Sequence, residues 1–152
     1  MPLPATTARR LAEAPHEPGY TACFGCGSAM PAGLHVHVVD DDPEELVAMV
    51  RLNTAHQGAP GFAHSGVVAT LLDEVISLAL WRLLDRRCVT ARLETAFHAP
   101  VPIGRDLELR ARCTGVQGRK VYTRAQVLLG GTAHAEAAGL FIDVAENLAH
   151  SG

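Results

Sequence analysis

The chain is expected to fold as an α+β domain in which an antiparallel sheet of about six strands packs around one long buried helix. Three observations predict this fold. Residues 65–84 are apolar on nearly every side, which is typical of a helix enclosed by other elements. Two strand-like stretches precede this segment and four follow it, all joined by short turns. The 152 residues are enough for one such domain with its own hydrophobic core.

The first two strands are predicted on either side of an acidic turn. Residues 33–39 are largely apolar and β-branched, and residues 45–52 alternate in part, so the two segments would pair as a hairpin. Residues 40–43 hold three aspartates followed by proline, which is typical of a turn. A weaker helical signal covers residues 7–14 in a polar leader predicted over residues 1–22.

The four later strands are predicted from alternation and from the turns between them. In one of them, Leu107, Leu109 and Ala111 alternate with charged residues, which is typical of a half-exposed strand. Their predicted ranges are 88–98, 106–113, 120–129 and 132–144. The domain is therefore placed at residues 23–146, with a short C-terminal tail at residues 147–152.

The central helix carries a polar stripe on one side. A loop rich in Gly and Pro over residues 55–63 leads into it, and Ser65 is a plausible cap or first-turn residue. A buried carboxylate is costly unless it is paired, hydrogen-bonded or facing water. The stripe therefore indicates a wet cleft, although its acids could instead lie at an exposed edge or pair with arginines. Its members recur at three- and four-residue steps and are Gly66, Thr70, Asp73 and Ser77.

Charge and composition exclude several classes of function. The chain has 13 Lys and Arg against 16 Asp and Glu, a net charge of −3, so nothing in its charge favours nucleic acid. The longest apolar run is interrupted by Asp73, Glu74 and Arg82, which argues against a membrane span. The first residues lack the charged-then-apolar layout of a signal peptide, and a cytoplasmic location is expected.

The four cysteines include one closely spaced pair. Cys23 and Cys26 have the spacing of half a zinc site or of a redox pair. A structural zinc site takes four ligands, and the others would have to come from elsewhere, such as His16 or His35. The simpler interpretation is a tight Gly-rich turn with two reduced thiols. Cys88 and Cys113 are expected to pack as small apolar residues.

Several separated motifs resemble one known family. The helix start resembles that family's His-Gly-Gly motif, with serine in place of the first glycine, and Asp73 falls at its acid position. The other matching segments are Cys23-Phe24-Gly25-Cys26-Gly27, Pro31-Ala32-Gly33-Leu34, residues 89–93, residues 97–104 and residues 135–141. Together, over residues 23–144, they resemble the phenylacetate-pathway (PaaI-like) acyl-CoA thioesterases of the 4-hydroxybenzoyl-CoA thioesterase superfamily, which have the hotdog fold.

The resemblance implies hydrolysis of an acyl-CoA or acyl-carrier thioester. The Ser65 N–H, with the Gly66 N–H, would bind the developing oxyanion at the helix N-terminus. Asp73 would activate water or attack directly, and Thr90 of a second subunit would orient the water. His64 is expected to cap the helix or brace the loop rather than to transfer protons.

The resemblance also implies a set of substrate contacts and an assembly. No metal and no cofactor beyond the coenzyme A of the substrate is expected, and the assembly is expected to be a homodimer or homotetramer. Glu74 lies about 100° around the helix from Asp73, so it is a candidate for a structural salt bridge instead. The residues assigned to substrate binding are Gln57, Gly58, Phe62, Ser77 and His98.

Two other functions remain open from the sequence. A hotdog-fold dehydratase of hydroxyacyl thioesters would use a loop histidine, and residues 56–61 faintly resemble such a loop. The helix acid of the fatty-acid dehydratases would then fall at Thr70, which is not an acid. A non-catalytic acyl-CoA binding module would keep an apolar tunnel without needing Asp73.

Overall fold

The computed structural model describes residues 20–144 of the chain. The helical signal at residues 7–14, most of the predicted leader and the tail at residues 147–152 lie outside the described residues. Within them, the structure is one antiparallel sheet with one long helix packed against it. The α+β architecture predicted from the sequence is confirmed.

The sheet contains six strands, and its spatial order differs from the chain order. The order is β1-β2-β4-β5-β6-β3, and every neighbouring pair is antiparallel. The helix therefore separates β2 from β3, which lie near opposite ends of the sheet. The strands are β1 (His37–Asp41), β2 (Leu46–Arg51), β3 (Cys88–Phe97), β4 (Asp106–Gln117), β5 (Lys120–Leu129) and β6 (Thr132–Asp143).

The helix α1 (Ser65–Leu84) crosses the concave side of this sheet and contacts all six strands. Apolar side chains cover most of its circumference because the sheet curves around it, as its composition predicts. The helix ends at Asp85, which adopts the left-handed conformation and donates its N–H to the last turn. The helix residues that are fully buried in the core are Leu71, Leu72, Val75 and Ile76.

The first strand starts four residues later than the alternation predicts. The N–H groups of Leu34 and Val36 donate to the carbonyls of Phe24 and Gly25, so this backbone is bound to the preceding loop and not to β2. His35 has a φ of 54°, which is incompatible with a continuous strand. We call residues 20–36 the cysteine loop.

The turn after β1 is also displaced from its predicted position. Asp41 belongs to the strand and is buried, so the turn begins at Asp42. The Asp42 carboxylate accepts hydrogen bonds from the N–H groups of Glu44 and Glu45, each at 2.8 Å. Only the last of the three aspartates, Asp42, therefore forms the turn, and the first two belong to β1.

Strand β4 runs four residues past its predicted end, through a bulge between Cys113 and Gly115. The reversal takes place at Gly118, where φ is 60° and glycine is the favoured residue. The other late strands agree with the sequence to within one residue.

Strand β3 is an edge strand with one face and one edge accessible. It pairs with β6 alone, and most of its ten residues are exposed. Val89 and Phe97 are each about half exposed, at 51% and 50%. A long edge strand with apolar side chains readily pairs with another strand, so this edge is a candidate contact for a second copy of the chain.

Candidate active site

The N-terminus of α1 is capped by a histidine side chain. His64 is the N-cap residue, and its Nδ1 accepts a hydrogen bond of 2.9 Å from the Gly66 N–H. Because Nδ1 acts as the acceptor, the proton of the neutral ring lies on Nε2. This agrees with the expected capping role of His64. It also corrects the expectation that Gly66 supplies a second oxyanion donor, since its N–H is already bound.

The Ser65 N–H is the donor that this arrangement leaves open. The first N–H groups of a helix have no acceptor inside the helix. Those of Gly66, Val67 and Val68 all bond to His64. Within residues 20–144, no acceptor is recorded for the Ser65 N–H, and Ser65 itself is exposed. The positive end of the helix dipole adds to its attraction for a developing negative charge.

The loop before the helix is held in shape by its own polar groups. The Gln57 side-chain oxygen accepts from the Gly61 N–H at 3.0 Å, and the Gly58 N–H donates to the Phe62 carbonyl at 2.9 Å. A Cβ at Gly58 would lie 3.0 Å from the Cα of His64, so this close approach favours glycine. Phe62 is 42% exposed beside the helix start. The substrate contacts of Gln57, Gly58 and Phe62 stay predictions.

His56, the loop histidine that a dehydratase would use, instead anchors this same loop. Its side chain is buried, with Nδ1 accepting from the Asn53 N–H at 3.1 Å and Nε2 facing the Ala32 carbonyl at 2.9 Å. The neutral ring therefore ties the loop before α1 to the cysteine loop. The signal in the sequence is the Asn53-to-His56 spacing, which forms a capping box around the 3-10 turn Thr54–His56.

Asp73 is held by a hydroxyl of the same chain. The Thr90 Oγ1 donates to Asp73 Oδ1 at 2.6 Å, joining the middle of α1 to the start of β3. Asp73 is half-buried and Thr90 is exposed, so the pair borders solvent. This corrects the expectation that Thr90 reaches Asp73 from a second subunit, because one chain already brings the two together.

Asp73 and Ser65 do not meet within one chain. They are separated by eight residues on a straight helix, which corresponds to about 12 Å along its axis. Eight steps of about 100° also place Asp73 about 80° around the helix from Ser65, so the carboxylate and the Ser65 N–H do not face the same point. One chain therefore presents two half-sites: the Ser65 N–H at the helix end, and the Asp73–Thr90 pair.

Glu74 lies on a different side of α1, against the cysteine loop. Its carboxylate lies within 4.8 Å of the Cys26 sulfur. Burial, and next the neighbouring Glu74 carboxylate, raises the pKa of Cys26 well above its usual range, and burial likewise raises the pKa of Glu74. Within residues 20–144 no ion pair to Glu74 is found, so the expectation of a structural salt bridge is wrong.

The two histidines considered as zinc ligands do not join the cysteine pair. The His35 Nε2 lies 2.7 Å from the Met30 carbonyl, and His16 lies outside the described residues. Cys23 and Cys26 are free thiols, as are Cys88 and Cys113. Burial raises the pKa of Cys88 to about 11, consistent with its expected role as a packed, unreactive thiol.

A cavity of about 330 Å³ opens beside Glu74, between the second half of α1, the start of β3 and the cysteine loop. Ser77 lines it, which separates Ser77 from the helix end where the other predicted contacts lie. The charged and aromatic residues around this cavity are Tyr20, Glu74, Trp81, Arg86 and Arg87.

His98 lies at the far end of β3 from the Asp73–Thr90 pair. Eight residues of extended strand separate it from Thr90, or about 26 Å. Its Nε2 pairs with the Glu136 carboxylate at 2.9 Å. Hydrogen bonds from Gln126 and then from His98 lower the pKa of Glu136. The structure does not bring His98 to Asp73, and its contact with substrate stays a prediction.

Comparison with known proteins agrees with this geometry. The family model described as the thioesterase superfamily matches residues 60–134, which include the helix start, Asp73 and Thr90. A thioesterase superfamily protein of known crystal structure is 32% identical, with a TM-score of 0.66 over 71% of this chain and 53% of its own. The chain belongs to the thioesterase superfamily. Its fold is the hotdog fold of that superfamily.

One further relative and one structure with the same fold show how far the likeness extends along the chain. Acyl-coenzyme A thioesterase THEM4 of Xenopus laevis is 32% identical over 88 residues, which are 57% of this chain and 39% of that protein. The chain thus spans about two fifths of the length of the THEM4 relatives that it matches. A phenylacetic acid degradation-related protein from Ralstonia eutropha has a TM-score of 0.72 over 90% of this chain and 98% of its own, at 19% identity.

Between residues 20 and 144, no helix combines the length and the hydropathy needed to cross a bilayer.

Proposed function

We propose that the protein hydrolyses acyl-CoA thioesters. The observation that carries this proposal is the half-buried Asp73 carboxylate, fixed at 2.6 Å by the exposed Thr90 hydroxyl at the border with solvent. A carboxylate oriented in this way is suited to take a proton from water. The open Ser65 N–H supplies the second requirement of thioester hydrolysis, a donor for the oxyanion. The name of the Xenopus relative supports coenzyme A as the carrier.

The proposed reaction uses groups of the protein and water alone. The thioester carbonyl oxygen accepts a hydrogen bond from the Ser65 N–H, and water attacks the carbonyl carbon while Asp73 takes its proton. The C–S bond then breaks, and the thiolate of coenzyme A leaves and is protonated. In the alternative, Asp73 attacks directly and forms a mixed anhydride that water hydrolyses. No metal or cofactor takes part in either route.

We propose further that the active site forms between two copies of the chain. The backbones of Ser65 and Asp73 in one chain are about 12 Å apart along the helix and about 80° apart around it, so the two groups do not face one carbonyl. A two-fold axis across α1 would bring the Ser65 N–H of one chain opposite the Asp73 and Thr90 of the partner subunit. The exposed helix start and the exposed edge of β3 support a contact on this side of the molecule.

The decisive assay measures free coenzyme A released from a panel of aryl, short and long acyl-CoAs, using a thiol reagent. Catalytic release of thiol by the wild type, abolished in Asp73→Asn, supports the proposal. Water loss from a hydroxyacyl-CoA without thiol release would identify a dehydratase. Binding without turnover of any thioester would identify a binding module. Either of these two results would overturn the proposal.

A mixing experiment tests the shared site. Asp73→Asn and Ser65→Pro each remove a different half-site, so neither variant alone should be active. When the two variants are mixed and allowed to exchange subunits, one intact site per mixed dimer should restore part of the activity. Sedimentation should show a dimer or a dimer of dimers. An active monomer at assay concentration would contradict the shared site.

A single turnover in water enriched in oxygen-18 separates the two routes. Water attack places the label in the released acid and none in the protein. Direct attack by Asp73, followed by water opening the anhydride at the Asp73 carbonyl, leaves the label in that carboxylate and an unlabelled acid. A cytoplasmic location is proposed as well, and the four free thiols of the described domain support a reducing compartment.

A further inference from the structure

The cysteine loop and α1 bring three metal-ligating side chains together, away from the Asp73–Thr90 pair. The donor atoms of Cys23, Cys26 and Glu74 all lie within 4.8 Å of one another. Two of them come from a C-x2-C turn and the third from the middle of a rigid helix. From the sequence, His16 and His35 were the candidates for further ligands. Glu74 was not among them because it is 48 residues from Cys26 along the chain and becomes a neighbour only in the fold.

The loop is shaped around the Glu74 carboxylate. A Cβ added at Gly25 would lie 2.3 Å from Glu74 Oε2, so the loop backbone packs directly over the carboxylate. A Cβ at Gly27 would lie 2.4 Å from the Thr21 carbonyl oxygen and 2.5 Å from the Cys23 nitrogen. The two glycines in Cys23-Phe24-Gly25-Cys26-Gly27 are therefore explained by close backbone approach.

Backbone hydrogen bonds hold this turn in place before any ligand binds. The Cys23 N–H donates to the Tyr20 carbonyl at 3.0 Å, and the Gly27 N–H donates to the Cys23 carbonyl at 2.8 Å. The carbonyls of Phe24 and Gly25, between the two cysteines, accept from residues 34 and 36. The positions of the two sulfur atoms are thus fixed by the fold, which lowers the entropic cost of binding a metal.

We propose that Cys23, Cys26 and Glu74 form a binding site for a divalent zinc ion. Zinc favours thiolate and carboxylate ligands in a tetrahedral arrangement, whereas magnesium and calcium favour oxygen alone. Zinc–sulfur bonds are about 2.3 Å long, so tetrahedral sulfur ligands lie about 3.8 Å apart. The three donors need to converge by no more than about 1 Å from their present separations. The adjoining cavity of about 330 Å³ leaves room for water as the fourth ligand.

The charge around the site is suited to a bound dication. Two thiolates and one carboxylate carry three negative charges, and zinc neutralises two of them. Arg82 is buried and interacts electrostatically with both Cys26 and Asp41. This second-layer cation offsets the remaining negative charge, a role that groups around metal ligands commonly have. The ion would join the cysteine loop to α1, about 100° around the helix from Asp73.

Metal titration of the purified protein tests the site directly. Protein stripped with a chelator should bind one Zn²⁺ per chain. It should also bind Co²⁺ with the intense thiolate-to-metal absorption and visible bands of a tetrahedral site. Cys26→Ser and Glu74→Gln should each weaken binding by at least about a hundredfold, since losing a ligand costs more than losing an outer partner. Cys23→Ser, at the more exposed ligand, gives the same test with the smallest risk to folding.

Two matched variants serve as controls. Cys113→Ser removes a thiol on β4 and should leave the Co²⁺ spectrum unchanged. Asp73→Asn changes the adjacent helix acid and should bind Zn²⁺ like the wild type even where it loses hydrolysis. Three outcomes would overturn the proposal: no stoichiometric metal binding by folded protein, equal weakening by Cys113→Ser, or a Co²⁺ spectrum without thiolate bands.

Discussion

Asp73 and Glu74 are adjacent on the same helix, yet the fold gives them different surroundings. Asp73 lies on the side of α1 that borders solvent, with the Thr90 hydroxyl as its partner. Glu74 lies against the cysteine loop, where its carboxylate is next to the Cys26 sulfur and burial raises its pKa. The same chemical group thus serves two purposes. One carboxylate stays accessible to water, and the other becomes part of a closed cluster with two sulfurs.

The comparison shows that position around the helix decides the role of an acid more than its place in the sequence does. A step of one residue turns the side chain by about 100°, from the β3 side to the loop side. A general base must lie within reach of the water whose proton it takes, so its carboxylate has to border water or substrate. A ligand or packing role needs a carboxylate that has lost most of its water.

Replacing each acid by its amide is the strongest test of this contrast. Asp73→Asn keeps the size and hydrogen-bonding shape but removes the base, so turnover should fall by at least about two decades. Glu74→Gln should reduce turnover by less than about tenfold, because the carboxylate does not reach the reacting carbonyl. Steady-state kinetics on one acyl-CoA measure both. Equal losses in the two variants would contradict the division of roles.

The proposed oxyanion donor, the Ser65 N–H, lies at the exposed start of α1, and substitutions of Ser65 test its role. Ser65→Pro removes the N–H and should lower turnover by about a hundredfold or more. The helix should survive, since proline is tolerated in a first turn and His64 already has the extended ψ of 137° that precedes proline. Ser65→Gly should retain or improve activity. An inactive Ser65→Gly variant with an acyl group on Ser65 in the wild type would instead make the serine a nucleophile.

The partner of Asp73 gives a smaller expected effect. Thr90→Val removes the hydroxyl that donates to the carboxylate and should lower turnover by about tenfold, the value of one hydrogen bond to a charged group. Thr90→Ser keeps the hydroxyl and should stay close to the wild type. If both variants have wild-type turnover, the Asp73–Thr90 contact does not orient the base.

A substitution at Gly25 in the cysteine loop is expected to change stability more than turnover. Gly25→Ala places a methyl group against the Glu74 carboxylate and should lower the free energy of unfolding by about 1–3 kcal/mol, as overpacking does. Urea unfolding measures the change. In a Glu74→Ala background the same substitution should cost much less, because its obstacle is gone. An identical cost in both backgrounds would mean that Gly25 is required for another reason.

The architecture and part of the site could be predicted because they depend on local pattern. The apolar circumference of residues 65–84 gave the bounds of α1, and the late strands follow alternation to within a few residues. The hairpin before the helix was misplaced, since residues 34 and 36 bond to the cysteine loop and not to a neighbouring strand. The capping role of His64 was predicted, whereas its consequence for the Gly66 N–H was not.

By itself, the sequence determined one α+β domain, the helix that carries the acids, and the likeness to a thioesterase family. These follow from periodicity and from motifs that are contiguous in the chain. Only the folded structure shows that Thr90 reaches Asp73 within one chain and that Glu74 joins the two cysteines. Each of these depends on where distant segments cross α1. Such long-range packing is set by the whole core, so no local window of residues encodes it.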